Sequence, residues 1–191
     1  MTTVYFVRHA EPNYENHDEL TRELSAKGLQ DRRLVTDFLR SKEIDVVLSS
    51  PYKRAVDTVS DFAQKRSLEI QLFEGFRERR VGGGEWIGNF DLFCQRQWSD
   101  FSFKLPGGES LHEVQARNIA ALSAVLQRYP EKNVAIGSHG TALGTVINYF
   151  DSGFGYDKFM TIRPLMPCVV QFDFERKQCR LIRVFNLFAV S

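Results

Sequence analysis

Three short stretches carry side chains suited to work on an anion: Arg8-His9, Arg54 and His139. Arg8-His9 closes an apolar run that starts at Val4, so a buried strand delivers a guanidinium and an imidazole to its carboxyl end. In open α/β sheets ligands bind at that end. Arg54 follows the run Ile44–Leu48 by a few residues, and His139 follows Val134–Gly137. If these runs are parallel strands, their carboxyl ends share one rim and bring the four groups together. A guanidinium offers paired donors to phosphate oxygens and stays charged at any working pH. Helix N-termini expected near Tyr52 and Thr141 add backbone N–H donors to the same rim. The chemistry indicated is phosphoryl transfer, with an imidazole as nucleophile.

The elements that must hold these groups can be read from periodicity. Ser25 offers an N-cap to a helix whose apolar face carries Leu34, Val35, Phe38 and Leu39. Ala55, Val56, Val59, Phe62 and Ala63 repeat at helical spacing after the second strand, and Leu68–Phe73 reads as a third. Ser110-Leu111-His112-Glu113 fits a capping box, opening a helix to about Arg128. Another helical stretch follows His139 to about Phe150, and Cys168–Phe174 with Arg180–Phe188 reads as a hairpin around Glu175-Arg176-Lys177-Gln178. The alternation predicts a three-layer α/β/α sandwich with a mostly parallel sheet and an antiparallel edge strand, in a single domain over 1–191. Residues 74–108, rich in glycine and aromatic side chains, read as a crossover or lid within that domain.

Composition narrows the classes of partner. The 191 residues, 43% of them hydrophobic, can bury a core without disulfides or a structural metal. Lys and Arg number 25 against 24 Asp and Glu, a net charge of +1 that gives no reason to expect nucleic acid or an anionic membrane as partner. Cys94, Cys168 and Cys179 read as reduced thiols. No stretch reaches the roughly 20 apolar residues of a membrane span, and the N-terminus lacks a signal-like core. The expectation is a soluble cytoplasmic protein. His9 and His139 have no H-x-x-x-H or C-x-x-C context, so no metal site is expected.

Taken in order, the motifs resemble the histidine phosphatase superfamily, which includes the phosphoglycerate mutases and many small phosphatases. Arg8-His9 matches its R-H-G signature with Ala10 in place of glycine, and Leu24-Ser25 with Gly28 matches L-S/T-x-x-G. Ser49-Ser50-Pro51-Tyr52-Lys53-Arg54-Ala55 resembles the segment bearing the second arginine. Phe76-Arg77-Glu78 resembles the L-x-E segment before a G-x-W motif, here ending at Trp86. Gly107-Gly108-Glu109-Ser110 with Arg117, then Ser138-His139-Gly140, complete the series.

The resemblance implies a phosphoglycerate mutase-like fold and a catalytic cycle that needs no metal or cofactor. By it, His9 is the nucleophile that becomes transiently phosphorylated, and Arg8, Arg54 and His139 hold the phosphoryl oxygens. Glu78 is the expected general acid and base, with Glu74 and Glu85 as alternatives if the glycine-rich loop is aligned differently. The implied partner is a small phosphorylated substrate. Mutases of the family carry a long insertion before the G-G-E-S segment, whereas 29 positions separate Glu78 from Gly107 here, which favours a phosphatase. A mutase, or a non-catalytic module that binds a phosphorylated ligand, is the alternative.

Other features stay open at this level. Arg77, Arg79, Arg80 and Arg96 either recognise a second anionic group or form a solvated face, and Arg163 is unassigned. Asn13 and Asn16 lie near the family's substrate asparagine without its offset. The aromatic cluster from Trp86 to Phe103 reads as a plug over the core more than as a lid. The motifs describe the phosphoryl site and leave the substrate and the oligomeric state unspecified.

Overall fold

Alternation along the first strand sets the two faces of the sheet. In β1 (Thr2–Arg8), Val4 and Phe6 join one apolar cluster and Tyr5 and Val7 the other, and all four are buried. β4 (Asn133–Ser138) repeats the pattern, with Val134 and Ile136 opposite Ala135. A strand buried on both faces needs helices on both sides, and the chain supplies them. The computed structural model describes residues 1–82 and 87–189; Gly83, Gly84, Glu85 and Trp86, named above from the sequence, lie outside the described residues.

Six strands form one sheet in the order β3-β2-β4-β1-β5-β6. β2 (Val46–Ser49) and β3 (Ile70–Leu72) run parallel to β4, and β4 runs parallel to β1. β5 (Cys168–Glu175) pairs antiparallel with β1, and the edge strand β6 (Gln178–Asn186) pairs antiparallel with β5 across the two-residue turn Arg176-Lys177. The fold is thus the three-layer, mostly parallel sandwich expected, with the antiparallel pairing confined to the hairpin side. Cys168 faces Asn186 and Cys179 faces Phe174 in this register, so the two thiols are far apart on the ladder, and all three cysteines are free.

α1 (Ala26–Leu39) and α2 (Lys53–Lys65) cover the Tyr5/Val7 face through Val35, Leu39, Val59 and Phe62. The opposite face takes α4 (Leu111–Arg128), α5 (Gly140–Phe150) and α6 (Tyr156–Ile162), with Phe6, Phe76 and Phe172 packed edge to face beneath them. Each fully buried aromatic of this kind contributes about 1.5–3 kcal/mol. The capping box of α4 forms in both directions between Ser110 and Glu113.

Two helices escape the sequence reading. α3 (Phe90–Ser99) starts at Asn89, whose side chain accepts from Leu92 N–H, and buries Phe93, Cys94, Gln97 and Trp98. Its polar and aromatic residues hide the helical period. Trp98 stacks on Phe159 of α6 at 5.0 Å and meets Phe101 and Phe154 edge-on, so this part of the aromatic cluster closes the core. α6 is a seven-residue helix, too short to announce itself by periodicity.

The loop from Ala10 to Leu24 is tied down at both ends. Ser25 N–H donates to Glu11 C=O, its hydroxyl donates to the Glu11 carboxylate at 2.7 Å, and the same oxygen caps α1 by accepting from Gly28 N–H. A Cβ on Gly28 would sit 2.1 Å from Glu11 O, so only glycine lets the helix start this close to the loop. Asn13 and Asn16 both donate to Glu23, whose carboxyl is drawn down to about 2 by these bonds, so both asparagines staple the loop.

Candidate active site

Register alone brings the candidate residues side by side. Arg8 pairs with Ser138 across β1 and β4, and Ser49 pairs with Gly137 across β2 and β4, so the three strands end level. Ladder bonds continue past the ends, from His9 N to Ser138 O and from Ser50 N to Gly137 O. Strands about 4.8 Å apart therefore present His9, Ser50 and His139 along one rim. From β1 the chain turns toward β2 and from β4 toward β5, so the rim coincides with the switch point of the sheet.

His9 is buried, and its Nδ1 lies 2.7 Å from the carbonyl of Ala10. That carbonyl can only accept, so the proton sits on Nδ1 and the lone pair on Nε2. Arg54 Nε lies 3.3 Å from this Nε2. Burial, then the charges of Arg54 and Arg8, hold the His9 pKa well below the ordinary imidazole range. A neutral imidazole with Nε2 exposed to cations is the form a phosphoryl acceptor needs. Thr58 fixes the turn beneath it, accepting from Ala10 N–H and donating to Arg54 C=O.

His139 is fully buried, with its ring edge-on to His9 at 5.3 Å and to Tyr52 at 5.2 Å. Its Nε2 is 2.7 Å from the Ser50 hydroxyl, whose oxygen already accepts from Tyr52 N–H. Ser50 and His139 Nε2 thus form a buried donor–acceptor pair at the rim. His139 Nδ1 has no partner among the described residues, so with the ring proton there it is a donor left for an anion. Burial, Arg54 and His9 lower the pKa of His139 as well, keeping the ring a neutral donor.

Arg8 is held from behind. Its Nη1 donates to the carbonyls of Ile162, Arg163 and Leu165 at the end of α6, where the helix dipole is negative. Its Nε is unpartnered, and a Cβ added to Gly140 would lie 3.1 Å from Nε and Nη2. The glycine of Ser138-His139-Gly140 is thus the space into which the Nε/Nη2 edge of Arg8 fits.

Glu78 caps α5. Oε2 accepts from Thr141 N–H at 3.0 Å, while Oε1 accepts from Ala142 N–H at 3.0 Å and Arg79 N–H at 2.7 Å. The free amides expected at this helix terminus are therefore committed to a carboxylate of the protein itself. At α2 likewise, Lys53 N–H donates to Leu20 C=O and Tyr52 N–H to Ser50 Oγ. Of the two Glu78 oxygens, Oε1 has both acceptor positions filled and Oε2 has one left, so Oε2 is the atom able to exchange a proton. Glu74 sits exposed at the start of the 3-10 turn Glu74–Phe76, and Glu85 lies outside the described residues.

The arginine cluster divides: Arg77 and Arg79 are claimed by partners within the protein, whereas Arg80 and Arg96 are exposed. Arg77 pairs with both oxygens of Glu109 at 2.7 and 2.9 Å, and Arg117 binds the same carboxylate while donating to the carbonyls of Gly75, Arg77 and Glu78. Arg79 is buried, bonded to Gln97 of α3 and lying over Phe90 and Phe93, and Arg96 lies over Phe103. Arg163 pairs with Asp91 at 2.5 Å. Arg77, Arg79 and Arg117 hold the Glu78 segment against α4 and α3, and Arg163 ties the end of α6 to α3.

Glu109 is buried beside these donors, which draw its pKa down to about 2 against the cost of burial. A carboxyl depressed in the folded state adds stability above its unfolded value, about 4.5, and loses it as pH falls toward 2. Thermal unfolding of Glu109→Gln should show a loss of about 2 kcal/mol or more at neutral pH. Between about pH 5 and pH 2 its stability should fall less steeply than wild type. An unchanged pH slope would mean that Glu109 does not anchor the loop.

Two residues of the rim were not found by sequence reading. Arg22 is buried, donates through Nε to Asn16 C=O, and its charge acts on His9. Glu19 accepts from Arg54 through both its backbone and its carboxylate. Both lie in a polar loop without periodicity, so spacing gave no signal. Among the described residues, no group of three or more His, Cys, Asp and Glu could hold a metal ion, and no helix is long and apolar enough to cross a membrane.

Comparison with known proteins agrees with this architecture. The chain is 26% identical to the uncharacterized phosphatase PhoE of Bacillus subtilis over 98% of this chain and 95% of that one. It is 25% identical to the putative phosphoserine phosphatase 2 of Hydrogenobacter thermophilus, covering 98% and 97% of the two chains. Among solved structures, YhfR of Bacillus stearothermophilus superposes with a TM-score of 0.79 at 23% identity, covering 95% of each chain. A mutant of the phosphoserine phosphatase of Entamoeba histolytica, in complex with phosphoserine, gives 0.77 at 20% identity over 97% of each. The model of the histidine phosphatase superfamily, branch 1, matches residues 4–187, from the strand that delivers His9 to the end of the hairpin, and by that match this chain belongs to the histidine phosphatase superfamily.

Proposed function

We propose that His9 takes a phosphoryl group from a small phosphomonoester and passes it to water. The protein is then a phosphoric monoester hydrolase of this superfamily, at work in the cytoplasm, and one domain carries the whole site. The observation that carries the reading is the His9 imidazole, neutral, with its Nε2 lone pair 3.3 Å from Arg54 Nε and its proton fixed on Ala10 C=O.

Nε2 attacks phosphorus, the P–O bond to the alcohol breaks, and Glu78 Oε2 gives its proton to the leaving oxygen. Arg8, Arg54 and His139 Nδ1 stabilise the charge on the phosphoryl oxygens, which supplies most of the catalysis in a loose transition state. Glu78 then takes a proton from water, whose oxygen attacks phosphorus and releases inorganic phosphate and free His9. Glu78 ends protonated, ready for the next substrate.

Relatives named as phosphoserine phosphatases, and a structural neighbour in complex with 3-phosphoglyceric acid, suggest where a substrate panel should begin. Hydrolysis of phosphoserine, 3-phosphoglycerate and other phosphomonoesters, measured with chelator present, tests the reading. Turnover of at least one supports it, and none across the panel contradicts it. Because the His9 pKa is depressed, its neutral, active form persists as pH falls through 6.5. The acid limb of kcat/KM that belongs to the free enzyme is therefore expected below pH 6.5. A limb at or above that value would place His9 in a different environment.

A further inference from the structure

The loop before α1 places a carboxylate of the protein on one of the arginines the phosphoryl group needs. Each nitrogen of the Arg54 guanidinium has a partner: Nε faces His9 Nε2 at 3.3 Å, Nη1 donates to Glu19 C=O at 2.8 Å, and Nη2 donates to Glu19 Oε2 at 2.8 Å. Nε and Nη2 lie on the same edge, the one that binds two oxygens of a single anion side by side. A phosphoryl group arriving at His9 meets an arginine whose Nε is on the imidazole and whose Nη2 is on Glu19. The other Glu19 oxygen, Oε1, is 2.8 Å from Arg22 Nη1, so the carboxylate bridges two buried arginines. Glu19 itself is half exposed, with 51% of its side chain open to solvent, while its backbone carbonyl is anchored on Arg54.

We propose that Glu19 is a built-in competing anion: its carboxylate holds Nη2 of Arg54 in the free enzyme and withdraws onto Arg22 when a phosphoryl group binds. Arg22 gives the displaced carboxylate a place to rest, and the Glu19 carbonyl keeps Arg54 oriented through Nη1. The device selects for charge. A monoanion replaces one negative charge on Arg54 with another, whereas a dianionic phosphomonoester brings a second charge to Arg8 and His139 as well. The proposal rests on the reading of His9 as phosphoryl acceptor, but its test does not require turnover.

The test compares inorganic phosphate binding to the full chain by calorimetry at pH 8, for wild type, Glu19→Gln and Glu15→Gln. Glu15 is exposed in the same loop, with no side-chain hydrogen bond to Arg22 or Arg54, and reports the general effect of removing one negative charge. Glu19→Gln is expected to bind phosphate about tenfold more tightly than wild type, and Glu15→Gln within about twofold. If the proposed activity is present, KM for a phosphomonoester should fall in parallel in Glu19→Gln. Equal or weaker phosphate binding by Glu19→Gln, a matching gain in Glu15→Gln, or no phosphate binding by either Glu19 form would overturn the proposal. Loss of turnover in wild type with the tighter binding intact would instead count against the hydrolase reading alone.

Discussion

His9→Ala is expected to lower kcat/KM by about 10⁴-fold or more on every substrate the enzyme turns over, because the other nucleophilic groups of the rim, the Ser50 hydroxyl and His139 Nε2, are bonded to each other. Phosphate binding should survive, since Arg8, Arg54 and His139 keep their own anchors: the α6 carbonyls, Glu19 and Ser50. The fold should survive too, because one of the ring's two hydrogen bonds is to the carbonyl of its own neighbour and the other is a 3.3 Å contact from Arg54, which Glu19 also holds. Steady-state kinetics with nitrophenyl phosphate, alongside phosphate titration and thermal unfolding, separates these effects. Turnover within tenfold of wild type would remove His9 from the mechanism.

Glu78→Gln should discriminate between leaving groups. An alkyl leaving oxygen needs a proton as the P–O bond breaks, and loss of that proton typically costs about 10²–10⁴-fold. Nitrophenolate leaves without help, so nitrophenyl phosphate should lose about tenfold or less in the phosphorylation step. The amide also puts an NH₂ group against the backbone N–H of Thr141 or Ala142, both of which donate to Glu78. Some disorder of the α5 terminus is therefore expected, and it would slow all substrates alike. The diagnostic quantity is the ratio between alkyl and nitrophenyl substrates, measured under single-turnover conditions. A ratio unchanged from wild type would assign the proton to another group.

The catalytic rim was readable where strands deliver residues. Apolar runs ending in Arg8-His9 and Ser138-His139 indicate both position and neighbours, because a one-residue slip of the ladder would take Val4, Phe6, Val134 and Ile136 off their common face. Ser25, Ser110 and Glu113 announced their helices for the same reason: a cap is a local hydrogen-bond problem with a local solution. What escaped lies in loops. Nothing in spacing distinguishes Arg22 from its polar neighbours, yet closure of the loop through Glu11, Ser25 and Gly28 carries it to the rim. The arginines after Phe76 invited a reading as anion receptors, but partners distant in sequence, Glu109 and Gln97, claim Arg77 and Arg79. The helix N-termini were expected to serve the ligand, but Glu78 claims the Thr141 and Ala142 amides and Leu20 that of Lys53. In each case the sequence states which groups are charged, while tertiary contacts decide which charges stay available.

The central claim is that phosphate passes through His9. The most direct measurement is a rapid quench of enzyme with a hydrolysed phosphomonoester, followed by acid and alkaline treatment and peptide mapping. Acid-labile, alkali-stable phosphate on the peptide that contains His9, formed and discharged at rates compatible with kcat and absent from His9→Ala, is the expected result. Acid-stable phosphate on another residue, or turnover with no phosphoenzyme when its formation outpaces its hydrolysis, would contradict it.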